Sequence, residues 1–574
     1  MSYLVKYSYL LLFFPIFLFW GITAQNSIEA IMPERLIFLH ALLYSLAFFL
    51  PKKILKAGYI ITIYLVTFLL IFFETAYIYL YKEELTSSIV FILLETNITE
   101  STEYLKVYFT TPIIKLLLQF LIPSILILWL VIKALYKYSL DSYLQDLKDL
   151  ISVVKSIFTK QQSTAPVRLH EKTTTQSSLY RWIIALLITC TGTIIYVEAG
   201  HFQHHIISKF LNGYKLYEEE INKYKDYMVN SNKSPYISSV IPQSKDKPRT
   251  LIIIIGESTT KHHMEIYGYY RNTTPNLKKI ENQLVLFNDV ISPHTHTIAA
   301  LEKSLTFGTN AHPEEKEKGS MIQLVKAAGY KTFWISNQNP IGLYETLVTM
   351  IGRTADQSYF INTGSNDQQK SYYKESYDER LFPFIEKALQ DSEPLKVIFV
   401  HLYGTHAAYS GRYPKEYAYF KDSAHTDYPS ERALDAINMY DNAVRYNDFI
   451  VSHIISLTQK NSKNGEEQQV IYYSDHGEDV YQSMNFEGHT ESVGSFPMFE
   501  IPFIYWSNQQ NKVQTYAQYK NRSYMTDELI YSVADLLDIK FNGRDDHKSI
   551  FSTSFQPEPR IVKGSINYDK EIKP

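Results

Sequence analysis

A chain of 574 residues has room for more than one domain, and a formal charge of −3 gives no basis for nucleic-acid binding. Hydrophobic residues make up 46% of it, with the long apolar runs confined almost entirely to roughly the first 200 positions. The one cysteine, Cys190, lies inside such a run, which excludes a disulfide or a thiolate metal site from everything downstream.

In chain order, five segments have the length and apolarity to span a bilayer: Tyr7–Ala24, Leu36–Leu50, Ala57–Tyr81, Ile113–Leu135 and Trp182–Glu198. Lys6, Lys52, Lys53, Lys56 and a basic stretch from Lys133 to Arg181 flank one side of these spans. Glu29, Glu34, Glu83, Glu84, Glu95, Glu100 and Glu103 flank the other. The positive-inside rule then places the N-terminus in the cytoplasm and everything after Glu198 across the membrane. The first span lacks a small-x-small cleavage site and reads as an uncleaved anchor. Ser139–Phe158 alternates apolar and charged residues at helical spacing and is expected along the cytoplasmic face, with Gln161–Ser178 as a polar loop. Tyr214–Tyr227, charged and aromatic, reads equally as a membrane-surface helix or a solvated linker helix. Ser231–Arg249, with three prolines, reads as the linker itself. The expected organisation is a five-helix anchor over 1–200, a bridge over 201–249 and a soluble α/β domain over 250–574.

From Thr250 onward, apolar strands alternate with amphipathic helices. Strands are expected at Leu251–Ile255, Lys331–Ile335, Lys396–His401, Gln469–Ser474 and Ile501–Trp506. Helices are expected at Thr297–Phe307, Ser320–Ala328, Asp378–Leu389, Ala433–Thr458 and Asp527–Leu537. That alternation predicts a doubly wound sheet, whose ligands bind at the C-terminal ends of its strands.

Two strand ends carry the chemistry. Leu251–Ile255 runs into Gly256-Glu257-Ser258-Thr259-Thr260, and Gln469–Ser474 runs into Asp475-His476-Gly477-Glu478. Glu257, Asp475 and His476 brought to one edge make a ligand set for a divalent ion of zinc type, with a position left for chemistry. Ser258, Thr259 and Thr260 read either as nucleophiles or as caps of a following helix. Glu478 is placed to orient a ligand or to meet a cationic group on a substrate. Thr297 falls at the start of an apolar helix, where free backbone N–H groups and the dipole favour an activated hydroxyl and a bound anion. His294 and His296 are either a further imidazole ligand or ordinary loop histidines, and Thr295 competes as nucleophile. His406, just past a strand end, can hold a phosphoryl oxygen or protonate a leaving group. His489 reads as a phosphate contact and His401 as a core histidine.

These residues resemble a known family. Gly256-Glu-Ser-Thr, Tyr267-Gly-Tyr-Tyr-Arg-Asn-Thr-Thr-Pro-Asn276, Thr297, Gly404-Thr-His406 and Ser474-Asp-His-Gly-Glu478 are similar to the lipopolysaccharide phosphoethanolamine transferases. That family lies within the alkaline phosphatase/sulfatase superfamily, and five spans before an outward-facing catalytic domain fit it. The resemblance implies a sulfatase-like fold, zinc on Glu257, Thr297, Asp475 and His476, and Thr297 as nucleophile. His406, Glu478 and His489 become contacts for the phosphoethanolamine group. It also implies a bacterial inner-membrane enzyme with a periplasmic catalytic domain. The donor is phosphatidylethanolamine and the acceptor lipopolysaccharide. Pro293-His-Thr-His296 replaces the cysteine-glycine segment usual in lipid A-modifying members. Thr297–Phe307 and Lys331–Gln338 look closer to the branch acting on core heptose. Transfer of phosphoglycerol, or transfer to lipid A or a periplasmic glucan, is the enzymatic alternative; a membrane sensor with an inactive transferase fold is the non-enzymatic one. A sulfatase is disfavoured because no Cys/Ser-x-Pro-x-Arg signature surrounds the nucleophile. A transporter is disfavoured by the few charges within the spans and the lack of an internal repeat.

Overall fold

The computed structural model describes residues 5–25, 33–50, 52–81, 111–138, 205–230, 234–338, 347–361, 376–463, 465–491 and 493–574, with 191, 194 and 198 as single positions. The chain divides into two compact units, one built from residues 1–93 and 108–217, the other from 94–107 and 218–574.

The first unit is helical. Lys53–Leu80 and Thr111–Lys137 are long and apolar enough to cross a membrane, while Ser8–Thr23 and Leu36–Ser45 are shorter apolar helices. They coincide with the third, fourth, first and second expected spans. The fifth, Trp182–Glu198, lies outside the described residues apart from three single positions, as do Ser139–Phe158 and Gln161–Ser178. Helix Thr111–Lys137 buries Leu116, Phe120, Ile127 and Val131 against its neighbours and turns Ile122, Ile125, Leu126 and Trp129 outward. An apolar outer face inverts the pattern of a water-facing helix and suits a lipid environment. Inside the bundle, the Tyr64 hydroxyl donates to Ser124 Oγ at 2.9 Å, so the polar groups beside Pro123 are paired within the protein.

The second unit is a three-layer α/β/α domain. Its sheet has seven strands: β1 (Arg249–Gly256), β2 (Leu284–Leu286), β3 (Lys331–Ser336), β4 (Gln357–Phe360), β5 (Leu395–His401), β6 (Glu467–Ser474) and β7 (Phe503–Ser507). Their spatial order is β2-β7-β6-β1-β5-β3-β4. The five strands from β6 to β4 are parallel, and β7 runs antiparallel to both β6 and β2. Continuous isoleucines in β1 follow from burial on both faces, and Leu251 through Ile255 are all fully buried. One face packs Ile252, Ile254, Ile398, Val400 and Tyr472 against the long helix Glu431–Lys460. On the other, the Ser304 hydroxyl of helix Thr297–Leu305 pairs with Tyr473 of β6, and Gly352 of helix Leu347–Arg353 lies against the Trp334 ring of β3.

Segment 234–248, read from sequence as a linker, is docked on this unit. Ser234 Oγ donates to Lys318 O, the Ile241 and Gln243 amides bond to Lys540 O and Ala328 O, and Tyr236 packs edge-on to Phe307. Helix Ile206–Asn230 covers the charged stretch Tyr214–Tyr227.

Candidate active site

Four adjacent strands, β6, β1, β5 and β3, end in register and carry polar side chains off one edge of the sheet. Gly256 pairs with Ser474, and Ile255 and Ser336 both pair with His401. Beyond these ends stand Asp475 and His476 from β6, Glu257 from β1, Gly404 to His406 from β5, and Gln338 from β3.

Glu257 is at the centre. Directly after it, Ser258 takes φ of 56°, a left-handed conformation costly for a residue with a Cβ. The turn is held by its polar groups. The Ser258 amide donates to Asp475 Oδ1 at 3.0 Å, and Tyr440 OH donates to Ser258 O at 2.7 Å. The Thr405 hydroxyl lies 3.1 Å from Glu257 O and 2.9 Å from Ser258 O. Gly404 answers a close approach: a Cβ there would lie 2.7 Å from Glu257 O. Of the three hydroxyls after Glu257, only Thr260 caps, accepting from the His262 amide of a short 3-10 turn; Ser258 and Thr259 are buried in this turn and precede no helix.

Thr297 is the first residue of its helix, and its hydroxyl donates to Glu257 Oε1 at 3.0 Å. Gln338 Nε2 holds the other oxygen, Oε2, at 3.2 Å and is itself fixed by Leu402 O at 3.0 Å. His476 Nε2 lies 3.4 Å from Glu257 Oε1 and 3.6 Å from Asp475 Oδ2. His476 Nδ1 sits 2.8 Å from Gly477 O, so Nδ1 carries the proton and Nε2 presents its lone pair inward. Asp475 Oδ2 and His476 Nε2 are buried and have no hydrogen bond among the described residues.

The electrostatics are those of a cluster lacking positive charge. Burial and then the neighbouring Asp475 carboxylate push Glu257 up to about 8. Burial would depress His476, but with no ion between them Asp475 and Glu257 override it and raise the imidazole to about 10, a proton on Nε2 standing where a cation would otherwise take the lone pair. Two carboxylates and an imidazole aimed at one point, with inward atoms unpartnered, match the donor set of a zinc-type ion, and Thr297 Oγ1 stands beside it.

Beside this cluster, the His489 ring lies 4.2 Å from that of His476, centre to centre. Glu478 is fully buried with both oxygens engaged, Oε1 by Tyr409 OH at 2.6 Å and Oε2 by His489 Nδ1 at 2.7 Å. In this geometry it orients His489. His406 stacks on Tyr403 at 5.7 Å, and its buried Nδ1 has no hydrogen bond among the described residues. Burial, Arg412 and the neighbouring histidines hold it well below the ordinary histidine range, which works against a proton-donating role. His401 is a buried core residue edge-on to Trp334.

Three contributors escaped the sequence. Gln338 closes the Lys331–Gln338 stretch quoted for the resemblance, but nothing there marked it as a site residue. Asp378, buried, accepts the Tyr403 and Gly404 amides and so sets the loop carrying His406. Glu491 binds His294 Nδ1 at 2.8 Å and the Thr295 amide at 2.9 Å, immediately before the Thr297 helix. All three lie far in sequence from the residues they position.

The sulfatase family profile matches residues 249–539. The chain is 30% identical over 502 residues to phosphoethanolamine transferase EptC of Escherichia coli strain K12, covering 85% of this chain and 81% of that protein. The crystal structure of the C-terminal periplasmic domain of the Escherichia coli EptC, in complex with zinc, superposes with a TM-score of 0.53 at 32% identity. It covers 58% of this chain and 94% of that one. The integral membrane lipooligosaccharide phosphoethanolamine transferase A from Neisseria meningitidis shares the fold at 18% identity, with a TM-score of 0.61 over 97% of this chain and 98% of its own. The chain therefore belongs to the lipopolysaccharide phosphoethanolamine transferases, enzymes whose catalytic domain has the sulfatase fold.

Proposed function

We propose that the chain transfers phosphoethanolamine from phosphatidylethanolamine to lipopolysaccharide, at a core heptose, through a covalent intermediate on Thr297. The observation that carries this reading is the Thr297 hydroxyl 3.0 Å from Glu257 Oε1, beside the unpartnered Asp475 Oδ2 and His476 Nε2. Glu257, Asp475, His476 and Thr297 would hold zinc, in keeping with the zinc-bound relative. Zinc bound there supplies positive charge to a reacting phosphoryl group and lowers the pKa of the threonine hydroxyl.

The protein's own groups account for the rest. Thr297 Oγ1 attacks the donor phosphorus, the bond from phosphorus to the diacylglycerol oxygen breaks, and the hydroxyl proton has an acceptor in place at Glu257. The free N–H groups at the start of helix Thr297–Leu305 face developing phosphoryl charge. A neutral His406 donates a hydrogen bond to a phosphoryl oxygen, His489 is held beside the cluster by Glu478, and water protonates the departing diacylglycerol oxygen. An acceptor hydroxyl then displaces Thr297 Oγ1 from phosphorus, giving its proton to the hydroxide left by the first step, while Glu257 returns the first proton to Thr297 Oγ1. The anchor, which we assign five spans over 1–200, keeps the catalytic domain, 250–574, on the periplasmic side of the inner membrane, where both lipid substrates are in reach.

Intact-mass spectrometry of the purified chain after incubation with zinc and phosphatidylethanolamine tests this directly. The expected result is an added phosphoethanolamine mass on Thr297 in the wild type, absent from Thr297→Ala, with turnover in the variant down at least about a thousandfold. An adduct that persists in the variant moves the nucleophile to another hydroxyl. No adduct and no diacylglycerol release overturns the donor.

A further inference from the structure

Immediately before the nucleophile, a second group of metal-type donors converges. We infer that His294, His296 and Glu491 form a second divalent-cation site, of zinc type, distinct from the Glu257, Asp475 and His476 centre.

His296 is extended, with φ −143° and ψ 148°. Alternate residues of an extended segment point to the same side, so the His-Thr-His sequence presents two imidazoles together, their centres 5.7 Å apart. Glu491 faces them from the segment after His489. Its carboxylate is already oriented: Oε2 accepts the Thr295 amide at 2.9 Å and the Thr295 hydroxyl at 3.1 Å, while Oε1 meets His294 Nδ1 at 2.8 Å. His296 Nε2 is 3.9 Å from Oε2, its side chain is 34% exposed, and among the described residues its ring makes no hydrogen bond. One donor atom from each of the three residues falls within 4.8 Å of the others.

Asn310 fixes which nitrogen of His294 faces the carboxylate as a free donor. Its amide Nδ2 donates to Pro293 O at 2.9 Å and Ile561 O at 3.0 Å, which leaves Oδ1 to accept His294 Nε2–H at 2.8 Å. A metal-ligating imidazole usually gives its other N–H to a carbonyl in this way. Between His294 Nδ1 and Glu491 there sits either a proton or a cation. The second imidazole on the same side, whose ring makes no hydrogen bond among the described residues, favours the cation, because a proton needs only one base. Two imidazoles and a carboxylate with a side open to solvent are a zinc-type donor set with a free position. An ion there would be held by the residue that precedes Thr297 in the chain.

The test is metal content. Full-length protein in detergent is equilibrated in zinc buffer, desalted and measured by elemental mass spectrometry, and the same is done with cobalt, whose visible bands report its ligands. The wild type is expected to hold two ions, and Glu491→Gln, His296→Asn and Asp475→Asn one each. His296→Asn guards against a folding artefact, since its ring is part-exposed and makes no hydrogen bond among the described residues. If the wild type holds two ions and both Glu491→Gln and His296→Asn keep two, the second ion lies elsewhere and the inference fails. One ion in the wild type and none in Asp475→Asn also overturns it, with the catalytic centre left standing. One ion that survives Asp475→Asn and disappears in Glu491→Gln upholds this site and overturns the catalytic zinc instead.

Discussion

Gln338 shows how much a single neutral side chain can set in this site. Its amide ties Glu257 Oε2 to the Leu402 carbonyl, fixing which way the carboxylate faces at 3.2 Å and 3.0 Å. Such outer contacts are worth roughly 10- to 100-fold in metal affinity or activity. Gln338→Leu is therefore expected to lower zinc affinity and turnover together by about that factor, read from zinc titration and from the rate of phosphoethanolamine transfer, with the fold's melting temperature little changed. Gly404 makes the opposite demand. It holds φ of 55°, and an added Cβ would lie 2.8 Å from Glu257 N as well as against Glu257 O. Gly404→Ala should cost about 1–3 kcal/mol of stability, measured by denaturant unfolding, and should also cut activity because the atom it strikes is the backbone of Glu257.

At the scale of elements, the edge that carries the site is pinned from behind by one buried cation. Arg271 bonds Asp441 Oδ2 at 2.8 Å, Asn438 Oδ1 at 2.9 Å, and Asp422 Oδ1 and Ser423 O at 3.0 Å. It thereby joins the loop after β1 to helix Glu431–Lys460 and to segment 422–423. Asp441 also takes His263 Nδ1 at 2.7 Å and Tyr269 OH at 3.0 Å, so it cannot lose its counter-ion cheaply. Arg271→Met should destabilise the catalytic unit by about 3–5 kcal/mol, and Arg271→Lys should not restore it, because an ammonium lacks the planar fork that reaches four acceptors. Urea unfolding of the two variants checks both statements. The same elements explain what the sequence revealed. β1, β3, β5 and β6 are runs of apolar residues buried on both faces, and their ends gave Glu257, Asp475 and His476 at once. Strands β2 and β4 escaped because they are three and four residues long at the sheet's two edges, and β4 is only half-buried, so neither shows a pattern. The antiparallel course of β7 was equally hidden, since an apolar run carries no direction. Glu491 and Gln338 could not be found from spacing at all, as their partners lie 196 and 81 residues away.

For the molecule as a whole, two depressed carboxylates tie distant segments to the catalytic edge and set an acid limit. Burial works against ionising Glu500. His262 and Lys261 override it and hold the group at about 2, below an ordinary value of 4.5. Glu500 also accepts Tyr568 OH at 2.6 Å, so the C-terminal turn and the exit from β1 share one charge. Glu491 is likewise held at about 2, with burial opposed by His294, His296 and the Thr295 amide. For a carboxylate whose folded pKa lies below its unfolded one, the folded state binds fewer protons. Its contribution to stability is then complete above about pH 4.5 and fades as the pH falls toward about 2. The protein has two units, so a single melting curve would mix them, and the catalytic unit is better followed by hydrogen exchange at the β1 amides Leu251–Ile255. Protection there should be flat from neutral pH down to about pH 5, once the intrinsic exchange rate is divided out, and should fall steadily below about pH 4.5. Glu500→Gln should start lower at neutral pH and show a shallower fall. An equally steep fall in that variant would place the acid limit in groups other than Glu500, with Glu491 the next to test.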